Sequence, residues 1–249
     1  MKLTKALVKM RFKQSHFDYS LFTKRKNNDI VVVLVYVDDL LITGTNPNQL
    51  NEIRNYLQTR FKIKDLGELK FFLGIEFARS KEGIRMNQRM YGMELISESG
   101  LGGAKPVGTP LEMNQKQTST EYDSWMKTNA EDEIFRDPSS FQRLVGRLLY
   151  LTMTKPDLSF TVQVLSQFVH CPKVSHMKVT LRVVRYIKAE LGLGLFMPAN
   201  NTNKLTTYCD SDWGAFLQIR RSVTSYLVKF GSVLVSWKSK KQAISRSSA

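Results

Sequence analysis

Residues 31–44 read VVVLVYVDDLLITG and place two carboxylates, Asp38 and Asp39, between two apolar runs. Two like charges at a strand–turn–strand junction repel, and without a counterion one of them tends to protonate. Either the pair caps a tight turn, because Asp bonds its own backbone, or it holds a cation. Hard Mg²⁺ takes carboxylate oxygens and keeps waters that a substrate phosphate can replace. Two such ions about 4 Å apart clamp the attacking and leaving oxygens of a phosphoryl transfer. Asp210 and Asp212 in YCDSDW are spaced by two, so both positions share a face if the strand continues, and by residue type alone each reads as a strand-end turn residue. The string HCPKVSH at 170–176 lacks four ligands at zinc-finger spacing and reads as helix-flank sequence.

These residues need a frame. The chain has 249 residues, 42% of them hydrophobic, enough for a packed core in two or three small domains or one elongated one. It carries 37 Lys and Arg against 22 Asp and Glu, a formal charge of +15. That excess points to a polyanionic partner, most simply nucleic acid. Two cysteines, Cys171 and Cys209, make no disulfide framework and fit a reducing compartment. No 18-residue apolar run occurs and the first residues hold no apolar signal core, so neither a membrane span nor a signal peptide is expected.

Apolar spacing at Leu3, Ala6, Leu7 and Met10 predicts a helix. DYSLFTKRKNNDIVVVLVYV predicts two strands joined by a turn at 27–29. Thr45 or Asn46 caps an amphipathic helix running to Phe61. A hairpin turning at 81–83 and a helix over 89–99 follow. From Gly100 to Pro138, turn-forming and polar residues predict a long loop. Three helices come next, in PSSFQRLVGRLLYLTMT, PDLSFTVQVLSQFV with Pro156 in its first position, and SHMKVTLRVVRYIKAEL. KLTTYCDSDW, RRSVTSYLVKF and SVLVSWKSKKQ then predict three strands with a hairpin at Gly231. Cations collect at two places: Arg182 and Arg185 on one helical face, and Lys238, Lys240, Lys241 and Arg246 around Trp237. Such groups suit phosphates, while Trp237 either stacks on a base or lies in the core.

In order along the chain, FKQSHFDYSLFTK, LVYVDDLLITG, FKIKDLGELKFFLGIEFARSKEGI, KPVGTPL, LVGRLLYLTMTKPDLSF, LSQF, RVVRYIKAELGLGL, YCDSDWGA, RRSVTSY and SWKSKKQAISRSSA carry a family pattern. It resembles the reverse transcriptase and early RNase H regions of Ty1/copia-type LTR retrotransposon Pol polyproteins, especially plant ones. The resemblance implies an α+β chain. A partial polymerase palm would cover 1–87, a thumb-like helical region 88–170 with a loop at 100–138, a connection 171–204, and the first strands of an RNase H-like sheet 205–249. It implies RNA-directed DNA polymerase and RNase H chemistry with Mg²⁺. Asp38 and Asp39 would serve the polymerase metal site, and Asp210, with Asp212 the competing candidate, would be the first RNase H carboxylate. FLGIEF implies a primer-grip hairpin that includes Phe72, Leu73 and Gly74. Lys62 or Lys64 lies where the family has a basic segment near the leaving pyrophosphate; the alternative is a pair of solvated helix-end lysines. The implied partners are an RNA template, an RNA–DNA hybrid, deoxynucleoside triphosphates (dNTPs) and the rest of the Pol polyprotein. Cytoplasmic particles and the nucleus are the implied locations.

Three departures bear on activity. The family's upstream palm Asp and YGLKQ segment are absent from the chain, and Asp18 and Asp29 sit too close to the hairpin to replace that Asp. SRSSA stops short of the RNase H Glu, so neither site is expected to work in this chain alone. DWGAFLQIRRS differs from the family's DWAG, and EYDSWMKTNAEDEIF exceeds its usual linker. With its palm strands unpartnered, the isolated chain is expected to be poorly soluble or partly unfolded. The competing readings are a non-catalytic nucleic-acid-binding remnant and the untranslated frame of a decayed element.

Overall fold

Alternating burial builds the first part of the molecule. In β3 (Asp29–Tyr36), Val31 and Val33 are buried while Ile30, Val32 and Leu34 are half-exposed, the two-residue period of a strand with one inward face. The computed structural model describes residues 2–112, 117–127, 132–200, 202–212 and 222–242, in two compact units, Met1–Leu73 and Gly74–Ala249. In the first unit β3 pairs antiparallel with β2 (Leu21–Lys26) on one side and β4 (Asp39–Gly44) on the other. The short β1 (Lys13–Gln14) joins β2, giving the order β1-β2-β3-β4. Two helices, α1 (Lys2–Lys9) and α2 (Pro47–Arg60), bury Leu7, Ile53 and Leu57 with Phe12, Phe22, Val31 and Val33.

Of the two cap candidates, Asn46 is the one used. Its side chain accepts from the Asn48 and Gln49 amides at 3.0 and 3.4 Å, and Pro47 opens the helix. Thr45 instead donates to Asp29, which also accepts from Asn46 and Gln49, so one carboxylate ties the start of β3 to the start of α2. Gly44 is required here, because a Cβ would come within 2.6 Å of the Ile30 carbonyl oxygen. The unit closes with β5 (Phe71–Phe72).

The second unit is helical at its centre. β6 (Ile75–Arg79) and β7 (Gly83–Asn87) form an antiparallel hairpin followed by α3 (Arg89–Glu98). After α4 (Thr120–Met126) come α5 (Pro138–Leu151), a 3₁₀ turn Pro156–Leu158, α6 (Ser159–Leu165), a 3₁₀ turn Ser166–Phe168 and α7 (Val174–Ala189). Phe141, Leu148, Leu151, Val162, Val183 and Val184 meet at the centre. β8 (Leu195–Pro198) pairs with β7. The antiparallel strands β9 (Leu205–Asp212), β10 (Val223–Phe230) and β11 (Val233–Lys241) form a separate sheet with β10 in the middle. The fold class is α+β, as the sequence implies. No helix among the described residues is long and apolar enough to cross a membrane.

The compact units divide at Leu73 and Gly74, and the β6–β7 hairpin takes β8 as its partner more than a hundred residues later. That pairing also places β8 of the expected connection, 171–204, in the sheet of this hairpin. The expected loop over 100–138 contains α4, which Ser119 caps by accepting from the Tyr122 amide at 3.3 Å. The single helix expected from Pro156 onward is divided into 3₁₀, α and 3₁₀ turns.

Candidate active site and nucleic-acid interface

Tyr36 pairs with Asp39, so Val37 and Asp38 are the two residues of the β3–β4 turn. Both carboxylates are exposed at one end of the sheet. Val37 has φ 46° and is 85% exposed. A β-branched residue in the left-handed region is strained, and here no burial of its side chain compensates. The turn therefore holds Asp38 and Asp39 outward at a backbone cost. β4 ends the sheet order, so the strand that begins with Asp39 has an open edge among the described residues.

Further along, Leu73 and Gly74 have φ 49° and 72°, both positive, as in the tightest two-residue hairpin loops. A Cβ on Gly74 would lie 2.9 Å from the Tyr150 hydroxyl oxygen of α5, so glycine serves both the turn and this approach. Tyr150 stands edge-on to Tyr91 with ring centroids 5.1 Å apart. Phe72 is buried at 9% exposure, whereas Phe71 is 62% exposed. Of the two rings, Phe71 is the one that reaches solvent.

Residues 1–113 match the family model for reverse transcriptase (RNA-dependent DNA polymerase). The chain is 37% identical to the retrovirus-related Pol polyprotein from transposon RE1 of Arabidopsis thaliana over 97% of its own length and 16% of that protein's. It is 34% identical to an uncharacterized mitochondrial protein of the same plant, with 87% of this chain and 86% of that protein aligned. It is 27% identical to the Pol polyprotein from transposon TNT 1-94 of Nicotiana tabacum, over 97% of this chain and 18% of that protein. The first 113 residues belong to this reverse transcriptase family. It spans about one sixth of the length of the curated Pol polyproteins it matches first. No solved structure matches it.

The other residues singled out in the sequence divide into accessible and engaged groups. Asp210 is exposed in β9 opposite Ser225, and the strand runs on to Asp212 opposite Val223. A cleft of about 440 Å³ lies beside Asp210, lined by Phe160, Tyr208, Ser225 and Trp237 among others. Trp237 is half-buried, and its indole N–H donates to the Thr152 carbonyl at 2.8 Å. Lys238 and Lys240 are exposed and Lys241 is half-buried, while Arg246 lies outside the described residues. Lys62 and Lys64 are exposed after the end of α2.

Arg182 and Arg185 have partners within the chain. Arg182 binds Glu112 at 2.7 Å and Thr109 at 3.2 Å, and Arg185 donates to the Lys105 carbonyl at 2.8 Å. Lys188 joins them, donating to the Ala104 carbonyl at 2.9 Å and the Leu101 carbonyl at 3.4 Å. The basic face of α7 straps residues 101–112, so these cations already have acceptors within the chain. A basic face is legible in the pattern, but the pattern does not distinguish phosphate from carbonyl acceptors.

Two groups escaped the sequence reading. Lys5, Lys9, Arg60 and Phe61 line an open cleft of about 470 Å³, and the Arg60 guanidinium lies 5.1 Å from the Tyr56 ring centre. The i, i+4 spacing of Lys5 and Lys9 was its only signal. In the second unit, Lys173 is buried at 2% exposure. Its ammonium donates to Asp123 at 2.5 Å and Thr118 at 3.1 Å and pairs with Asp132 at 3.1 Å. His176 is fully buried and stacked on Phe168 with ring centres 4.0 Å apart. Its Nδ1 accepts the Lys173 amide and its Nε2 lies 3.1 Å from the Thr118 carbonyl oxygen, so Nε2 carries the proton. Burial, with the Lys173 charge beside it, pushes His176 down to about 4. HCPKVSH is thus more than helix-flank sequence: it anchors α4 and its flanks.

Proposed function

We propose that this chain is the palm-to-RNase H segment of a copia-type Pol polyprotein, and that the turn at Val37 and Asp38 is its polymerase metal site. The observation that carries this is a strained turn presenting two exposed carboxylates beside an open strand edge. Asp38 and Asp39 offer adjacent hard oxygen donors, which fit a hydrated Mg²⁺. No group of three His, Cys, Asp or Glu near enough to share a metal occurs among the described residues. In this reading a further carboxylate comes from another segment of the polyprotein, and the open edge of β4 is a place for the strand that brings it. When bound, Mg²⁺ would neutralise charge on the phosphates of a dNTP and at the primer terminus. Asp38 and Asp39 would hold it at the sheet end, and within the second unit Gly74 allows a close approach to Tyr150.

In this reading the first unit is palm, the hairpin at Leu73 and Gly74 is the primer grip, and the helical part of the second unit is thumb and connection. The sheet β9–β11 opens an RNase H-like domain, with Asp210 as its first metal carboxylate and Lys238 and Lys240 facing an RNA–DNA hybrid. Lys62 or Lys64 would neutralise the pyrophosphate. The chain alone is not expected to polymerise.

Two measurements test this. Mn²⁺ titration followed by electron paramagnetic resonance should show binding that Asp38→Asn removes; binding indifferent to that change refutes the metal site. Primer extension on an RNA template should be absent from the chain alone and appear when it is joined to the preceding Pol segment. Extension by the chain alone, abolished by Asp38→Asn, refutes the need for a further carboxylate.

A further inference from the structure

The loop at residues 15–20 connects β1 to β2, and strand register fixes where it lies. Leu21 pairs with Leu34, and the Val35 amide donates to the Ser20 carbonyl at 2.9 Å. β3 ends one residue later at Tyr36, opposite Asp39. The loop and the carboxylate turn therefore leave the sheet at the same end, with β3 between them. Adjacent strands lie about 4.8 Å apart, so the root of the loop is roughly 10 Å from the strand of Asp39.

This loop presents its rings to solvent. Phe17 is 103% exposed and Tyr19 75% exposed. The backbone beneath them is tied down. Asp18 accepts from the Ser20 amide at 2.9 Å and the Ser20 hydroxyl at 2.6 Å. The Ser15 hydroxyl accepts from the Phe17 and Asp18 amides, both at 3.2 Å, and the Gln14 side chain donates to the Tyr19 carbonyl at 2.6 Å. Side-chain hydrogen bonds of this kind hold a turn without covering it. Burying either ring would gain about 1.5–3 kcal/mol, yet the fixed backbone leaves both outside.

We propose that Phe17 and Tyr19 form a stacking platform for bases of the nucleic-acid strand that reaches the turn of Asp38 and Asp39. This rests on the reading of that turn as the polymerase metal site. Every base has a π-face, so exposed rings hold a strand without selecting its sequence. The first unit, with 13 Lys and Arg against seven Asp and Glu, attracts a polyanion, and Lys13 and His16 flank the rings. At about 3.4 Å per stacked nucleotide, roughly 10 Å is about three nucleotides from the metal site. Phe17 and Tyr19 are positioning residues and touch no reacting atom.

The test is fluorescence anisotropy of a labelled RNA–DNA hybrid with a single-stranded overhang, titrated with the full chain in metal-free buffer at several salt concentrations. Leu keeps the apolar bulk of these exposed side chains but removes the π-face. Phe17→Leu and Tyr19→Leu should each weaken binding roughly tenfold with an unchanged salt slope, and Tyr19→Phe should bind like the parent. Leu variants that bind like the parent, loss of affinity accompanied by a reduced salt slope, or no binding by the parent chain would each overturn the platform. The first of these outcomes would assign the rings to a protein contact. The effect of Asp38→Asn on Mn²⁺ binding decides the metal-site reading separately.

Discussion

Replacing Lys173 by Met would test how far a buried ion cluster determines the path of the chain before α5. The ammonium sits at 2% side-chain exposure between Asp123, at 9%, and Asp132, at 20%. One oxygen of Asp123, Oδ1, is already buried without a hydrogen-bond partner. Removing the cation strands the Asp123 charge in a site that water scarcely reaches. Breaking a buried pair from one side costs about 3–5 kcal/mol, most of it the penalty of the orphaned charge. Asp132 is more exposed and keeps the Ser175 amide at 3.1 Å, so it adds less. At about 2–4 °C per kcal/mol for a unit of this size, Lys173→Met should lower the midpoint of thermal unfolding by roughly 10 °C. The double variant Lys173→Met with Asp123→Leu replaces both charges by apolar groups and should recover most of that loss. Urea unfolding followed by circular dichroism gives the four corners of the cycle, and a coupling of about 2 kcal/mol or more is expected. A single-variant cost below about 1 kcal/mol, or a double variant as unstable as the sum of the two singles, would refute the reasoning. Either would mean that α4 is held by something other than this pair.

Two further outcomes follow from the same physics. His176 ordinarily titrates near 6.5 and is held near 4 in the fold. Below pH 6.5 the unfolded chain takes up a proton that the folded chain refuses, so this contribution is full above 6.5 and falls away as pH drops toward 4. By pH 4.5 the loss should reach about 2.5 kcal/mol; urea midpoints at pH 7 and 4.5 measure it, with His176→Gln flattening the difference, and an unchanged slope in that variant would assign the pH response to other groups. Val37→Gly should stabilise the first unit by about 1 kcal/mol, because about 1–3 kcal/mol of left-handed strain is released against about 0.5–1 kcal/mol of added chain entropy; a lowered urea midpoint would show that the turn is not strained.

What was legible in the sequence was local. The alternation of β3, the Asn46-Pro47 start of α2 and the adjacent carboxylates each depend on residues within one turn or strand, and periodicity reads such signals directly. The pairing of β7 with Leu195–Pro198 was not legible, because nothing inside either strand announces the other. α4 was hidden for a related reason. Its seven residues are too few for a helix to persist on propensity, and they are fixed by Asp123 reaching Lys173, 50 residues away. Val37 shows the opposite failure: its type argues for extended backbone, and only the hairpin forces φ to 46°. Where local preference and tertiary constraint agree, as in β3, the chain forms a core. Where they disagree, as at Val37, the backbone is held against its preference to point two carboxylates into solvent, and that conflict is itself the reason to look for chemistry at this end of the sheet.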